Sequence, residues 1–299
     1  MVKGPLPILL DLKTPVIGFT TDQKFQVALI ADETGQAHLV DIPGKKILLS
    51  HQFPSPIISF VANTVDSSFF LFLKNHRLWK LNAQGQAEQI LALDANSAHF
   101  NAFMLPSPDG SKIALGFPSG KGAVYQISDG KALGEFQLDS PLVNLSYAAI
   151  NDHFLASYRN GTLFQVHWDT ARMTPFPGQM GNQIWKVAVD PLGNFLAVGS
   201  GFNEIQVFTL PGLIIRADFQ PIQTNILRGV LWSKTASRLV GFDIHGKNHF
   251  WDSTTGNELL EIQGHDSPIV GMAEFPEGGK FLSLGKNGDM KVWKGSKAD

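Results

Sequence analysis

The chain has 299 residues, is 43% hydrophobic with 22 Phe and 6 Trp, and carries a formal net charge of −2. That apolar content suffices for a sizeable core, and 17% charged residues leave little for long charged helical faces. The near-neutral balance excludes the field that draws nucleic acid or an anionic membrane surface, and the lack of cysteine excludes disulfides, thiolate metal sites and cysteine nucleophiles.

In chain order, the first stretch is Leu6 to Leu12, apolar but broken by Pro7 and interrupted by Asp11. It is too short for a secretory signal, and no later stretch approaches the length of a membrane span. A soluble, cytoplasmic protein is expected. From there on a landmark recurs, a turn residue five positions before an apolar or aromatic one. The pairs are Gly35 and Val40, Lys74 and Trp79, Gly120 and Tyr125, Gly161 and Val166, Asn203 and Phe208, Gly246 and Trp251, and Gly288 and Trp293. Successive marks are 39, 46, 41, 42, 43 and 42 residues apart. Gly and Asn tolerate the positive φ of a tight hairpin turn; Lys74 has no such property.

A second landmark shares this phase. Thr14-Pro15, Ser55-Pro56, Ser140-Pro141 and Ser267-Pro268 each precede an apolar run, and Pro is tolerated at a strand's first residue, where no ladder donor is missing. Turn signals follow each opening run, as in Ser107-Pro108-Asp109-Gly110, Asp190-Pro191-Leu192-Gly193 and Pro276-Glu277-Gly278-Gly279. The units so bounded are about 14–51, 56–92, 100–138, 141–177, 184–220, 226–262 and 268–293, the third with an insertion around Phe117 to Lys121. No linker or charge block separates them, so one domain over 1–299 is expected. The last unit ends without an outer strand, while 6–12 precedes the first without a partner. Pairing the two would close the array and remove an exposed edge.

The last full period is the most specific. Trp251-Asp252, a Thr255-Gly256 turn, Gly264-His265 and Trp293 resemble the WD-repeat (Trp-Asp repeat) family, whose periods each supply four strands. The resemblance implies an all-β, seven-bladed β-propeller of four-stranded antiparallel blades, with 6–12 completing blade seven. Elsewhere the Trp-Asp pair is replaced, for example by Val40-Asp41, Tyr125-Gln126 and Phe208-Thr209, so no subfamily is indicated. The family's buried hydrogen-bonded set would fall on His265, Ser283, Asn287 and Trp293, with Asn287 where an Asp is expected. That set reads as a network holding one blade together rather than as a hydrolase triad, because it matches a repeat landmark and no nucleophile turn is present.

No catalytic residue, cofactor or metal is indicated. His245 and His249 are four apart on a hairpin, where that spacing does not converge as on a helix. The resemblance implies instead a non-catalytic scaffold or adaptor, binding a peptide or partner domain at the mouth where loops between second and third strands gather. Aromatic and Arg residues anchor interfaces, so the partner-binding candidates are Phe202, Arg159, Tyr158, Phe117, His245 and Trp185. Other proteins are the expected partners, with no nucleic acid and no membrane, and the chain alone is expected to be a monomer or a subunit of a hetero-complex. The alternative is a propeller enzyme of lactonase or hydrolase type, for which Asp32, Glu204 and Asp243 lie near suitable loops without diagnostic spacing.

Overall fold

Among the described residues every regular element is a β-strand, and consecutive strands within each four-stranded sheet pair antiparallel, β1 excepted. The computed structural model describes residues 9–94, 101–148, 152–181, 183–200, 204–210, 212–219 and 227–294. After the short β1 (Leu10–Asp11), blade one holds β2–β5 (Val16–Thr21, Val27–Asp32, Gln36–Asp41, Lys46–Gln52). Blade two holds β6–β9 (Ile57–Ala62, Phe69–Leu73, Arg77–Leu81, Ala87–Ala92). Blade three holds β10–β13 (Phe103–Pro106, Lys112–Gly116, Lys121–Gln126, Ala132–Gln137) and blade four β14–β17 (Leu142–Tyr147, His153–Tyr158, Leu163–His167, Met173–Pro175). Blade five holds β18–β21 (Ile184–Val189, Phe195–Ser200, Glu204–Thr209, Ile215–Phe219) and blade six β22–β25 (Leu227–Trp232, Arg238–Asp243, Lys247–Asp252, Glu258–Gln263). Blade seven has β26–β28 (Ile269–Glu274, Lys280–Gly285, Asp289–Lys294). The first strands touch in a closed cycle, from β2 through β6, β10, β14, β18, β22 and β26 back to β2. The fold is a seven-bladed β-propeller.

Burial explains why the second strands are the most apolar. Each is flanked by two strands of its own blade and covered on both faces by the adjoining blades. In β7, Phe69-Phe70-Leu71-Phe72-Leu73 are all fully buried, alternating between the core shared with blade one and that shared with blade three. Outer strands face solvent, and β5 leaves Ile47 and Leu48 exposed. Polar links between successive blades reinforce the apolar packing. Tyr147 donates to the Pro106 carbonyl at 2.9 Å, Asn144 to the Val187 carbonyl at 3.0 Å and Trp232 to the Ala188 carbonyl at 2.8 Å.

The ring is closed by its first strand. β1 pairs with β28, Leu10 opposite Met290 and Asp11 opposite Asp289, making the fourth strand of blade seven. Leu9 N–H donates to Met290 O at 2.8 Å and Leu12 N–H to Gly288 O at 3.1 Å. Leu9, Leu10 and Leu12 pack against a core containing Met290, Leu284 and Ile30. The expected strand over 6–12 is thus seen as Leu10–Asp11; its beginning, with Pro7, lies outside the described residues.

Two details of the repeat phase differ from the sequence reading. In blade two the residue at positive φ is His76, whose N–H bonds to Leu73 O as Gly161 N–H bonds to Tyr158 O in blade four. The mark five positions on is therefore Leu81, not Trp79, and the spacings around it become 41 and 44, closer to the other periods. The insertion is also not at Phe117 to Lys121, where Gly120 N–H closes an ordinary tight turn on Phe117 O. The extra length lies instead between Ala92 and Phe103, a longer link than that between Gln52 and Ile57. The Asn203 mark lies outside the described residues.

Candidate functional site

In blade seven Trp293, Ser283 and His265 form a hydrogen-bonded chain that ends beside the Asp289 carboxylate. Trp293 Nε1–H donates to Ser283 Oγ at 2.6 Å, and Ser283 Oγ lies 2.6 Å from His265 Nε2. Asp289 Oδ1 is 2.9 Å from His265 Nδ1. With the imidazole proton on Nδ1, facing the carboxylate, Nε2 is left to accept the serine hydroxyl, and the serine oxygen accepts from the indole. The carboxylate is Asp289, which corrects the assignment to Asn287. Asn287 is exposed and its Oδ1 accepts from Ser267 Oγ at 2.9 Å. A Cβ on Gly285 would meet Asp289 Oδ1 at 2.1 Å, so the missing side chain at 285 makes room for that carboxylate. Burial works to raise the Asp289 pKa, but His265, and Lys291 Nζ at 3.3 Å from Oδ2, hold it below the ordinary carboxylate range. Every member is buried, so the set fastens the link between β25 and β26 to β27 and β28 and presents no nucleophile to solvent.

The expected binding mouth is rearranged by burial. Phe117 and Tyr158 are not at hairpin tips. They occupy the position held by Asp32 and Asp243 in blades one and six, after which the turn closes three residues on. Their side chains point into the core: Phe117 packs on Phe72 of blade two with ring centroids 6.0 Å apart, and Tyr158 sits edge-to-face on Phe164 of its own blade at 5.8 Å. Tyr158 is 0% exposed, and burial raises its phenol pKa. Both residues are therefore core, a correction to their place among the contact candidates. Trp185 is half-buried, its ring lying over Gly199 and packed with Ala197 and Leu227. It is the extra residue of a bulge in β18, between Ile184 opposite Ser200 and Lys186 opposite Gly199. Arg159 and His245 are exposed on the turns, while Phe202 lies outside the described residues. Asp32 and Asp243 direct their Oδ1 atoms to turn amides, those of Thr34 and Gln36 and of His245 and Lys247.

The opposite face carries a concave site that the sequence reading missed. A cleft of about 590 Å³ opens between the inner strands of blades four and five, lined by Asn144, Ser146, Tyr147, Lys186, Val189 and Leu192 among others. Lys186 Nζ approaches Asn144 Oδ1 at 3.4 Å, and burial of the ammonium lowers its pKa. Leu192, 70% exposed, and Tyr147, 39% exposed, stand at the rim. The floor is fixed, because Asn144 Nδ2 also reaches Ser146 Oγ at 3.1 Å, and Asp190 holds the Leu192 turn by accepting from Leu192 N–H and Phe195 N–H. A faint sequence signal existed: Lys186 interrupts the apolar run Ile184-Trp185-Lys186-Val187, and Leu192 is a bulky apolar residue within a Pro-Leu-Gly turn. Among the described residues, the His and carboxylate group with metal-ligand spacing is His249, Glu258 and Glu261, on the outer half of blade six rather than at the channel.

No protein-family model matches the chain. It is similar to Coronin-7 of Mus musculus, 24% identical over 180 residues that make up 58% of this chain and 17% of that protein. The propeller fold and this similarity fit a protein-interaction scaffold in general terms. Among the described residues no helix is long and apolar enough to cross a membrane.

Proposed function

We propose that the protein is a non-catalytic WD-repeat scaffold that binds a partner protein on the face carrying the Lys186 cleft. The observation behind this reading is the contrast between the two faces. On the turn side, Phe117 and Tyr158 are used up in the core. On the cleft side, Leu192 and Tyr147 flank a polar hollow whose one ammonium is Lys186. A rigid, bulky apolar rim around a buried polar contact is the composition of interface anchors. The cleft suits a segment that places a carboxylate beside an apolar side chain. Its carboxylate would meet the Lys186 ammonium, since the lining Asp190 carboxylate is engaged by turn amides, and its side chain would cover Leu192. Arg159 and His245 on the other face form the competing surface.

Affinity capture of the tagged protein from its native cells, followed by mass spectrometry, tests the reading. A partner retained by the Arg159→Ala/His245→Ala variant and lost by Lys186→Met/Leu192→Asp supports the cleft. Retention by Lys186→Met/Leu192→Asp rejects it, and loss only in Arg159→Ala/His245→Ala moves the interaction to the turn side.

A further inference from the structure

Blades one and six share a polar arrangement whose outer half has changed. In each, an Asp ends the second strand and a His follows six residues later on the third: Asp32 and His38, Asp243 and His249. In blade one the residue paired with His38 across to the outer strand is Ser50, whose hydroxyl lies 2.8 Å from His38 Nδ1. A hydroxyl suits a neutral imidazole, because it can accept from the ring nitrogen or donate to it. In blade six the residue paired with His249 is Glu261, and the one paired with Trp251 is Glu258, where blade one has Ile47 opposite Val40.

A bulge brings both carboxylates to one side. Residues three apart on a regular strand face opposite ways. Here Leu259 is the extra residue between Leu260, opposite Phe250, and Glu258, opposite Trp251. That insertion reverses the alternation, so Glu258 and Glu261 share the face of His249. Glu258 Oε1 lies 3.0 Å and Glu261 Oε2 3.7 Å from His249 Nδ1. The other ring nitrogen, Nε2, is 3.3 Å from Asp243 Oδ2, and both of these side chains are 0% exposed. With Nε2–H donated to Asp243, the Nδ1 lone pair points at two carboxylate oxygens. A cation among these three acceptors would satisfy all of them at once, whereas a proton on Nδ1 would serve Glu258.

We propose that His249 Nδ1, Glu258 and Glu261 form a binding site for a divalent transition metal, with Zn²⁺ the best match. Tetrahedral donors about 2.0–2.2 Å from zinc stand about 3.4 Å from one another, a value that the two distances to Nδ1 bracket. Asp243 completes a carboxylate–histidine–metal arrangement, fixing the tautomer and turning Nδ1 outward. The imidazole is locked in place, stacked on the Trp251 ring at 5.6 Å and 11°. Glu258 and Glu261 are half-exposed, so the ion can enter from solvent, and three protein ligands leave a position open to water. Lys247 Nζ already pairs with Glu261, at 2.5 Å from Oε1, which leaves Oε2 for the ion. The bound ion would clamp β25 to β24 at the rim of blade six.

Calorimetric titration of the chelator-treated, tag-free protein with ZnCl₂ is the test, with the half-exposed pair changed as Glu258→Gln/Glu261→Gln so that the fold is kept. Expected are one ion per chain, an affinity lower by about tenfold or more in the variant, and a shift of one imidazole's nitrogen resonances on zinc addition. No binding, equal affinity in the variant, or binding that moves no imidazole resonance would overturn the proposal. A Ser50→Glu change in blade one alone should create no comparable site, because Ile47 stands where the second carboxylate is needed. A site of equal affinity there would also count against the requirement for three ligands.

Discussion

Replacing Ser283 by Ala tests the claim that the buried chain in blade seven is a structural fastener. The substitution removes one oxygen that serves two partners, each 2.6 Å away: the Trp293 indole N–H and His265 Nε2. Both lie in a region without access to water, Trp293 1% and His265 1% exposed. A buried polar group left without a partner costs about 1–3 kcal/mol. Two such groups, with little cavity from a lost hydroxyl, give roughly 2–6 kcal/mol. In a chain of this size each kcal/mol moves the midpoint by about 2 °C, so melting should fall by about 4–12 °C. Thermal unfolding followed by circular dichroism, with urea titration beside it, reads the change. A Ser283→Ala protein melting within about 1 °C of the parent, on that same conversion, would refute the network as an energetic unit. Asp289→Asn keeps an acceptor beside His265 Nδ1 and should cost less than Ser283→Ala.

Other expectations follow from the same contacts. Deleting residues 1–13 strips Leu9, Leu10 and Leu12 from the blade-seven core and bares the edge of β28; a loss of about 3 kcal/mol or aggregation is expected, and an unchanged melt would contradict the closure. Tyr158→Phe removes a buried hydroxyl with no hydrogen-bond partner among the described residues, so stability should stay level or rise by about 1 kcal/mol. A clear destabilisation of that variant would show that the hydroxyl is satisfied. Gly246→Ala places a Cβ 2.0 Å from the His265 carbonyl at a φ of 82°, and should cost more than about 2 kcal/mol in denaturant titration; a cost below that would mean the turn yields easily.

His38 supplies a pH dependence. Burial holds its pKa below 6.5, against the opposing pull of Asp32. The unfolded chain then binds more protons than the folded one between the two values, so stability is full above about pH 6.5 and declines as pH falls toward the folded value. His38→Gln should flatten that slope in urea titrations across this range, and an unaltered slope would assign the titration to another group.

The periodic framework was legible in the chain because it depends on local chemistry. A turn that demands positive φ selects Gly, a strand that starts against a loop tolerates Pro, and a strand covered on both faces is apolar throughout. These requirements recur at Gly35, Gly161, Gly246 and Gly288 and before Val16, Ile57, Leu142 and Ile269, and they set the number of blades and the need for an N-terminal strand. Blade two shows the limit of the signal, since His76 takes a positive φ that its residue type does not announce.

What only the tertiary structure decided is where side chains point and what they meet. Sequence places Phe117 and Tyr158 near a turn; packing turns both inward, Tyr158 as the last residue of β15 and Phe117 just after β11. Asn287 stands at the expected position of the family's Asp, yet the empty space at Gly285 lets Asp289 reach His265. Lys186 and Leu192 face one cleft only because inner strands of successive blades lie side by side. Glu258 and Glu261 share a face only because Leu259 is left unpaired. Local sequence carries backbone preferences, since those depend on a residue and its immediate neighbours. Sites depend on distances between strands brought together by ring closure, and no spacing along the chain encodes those distances.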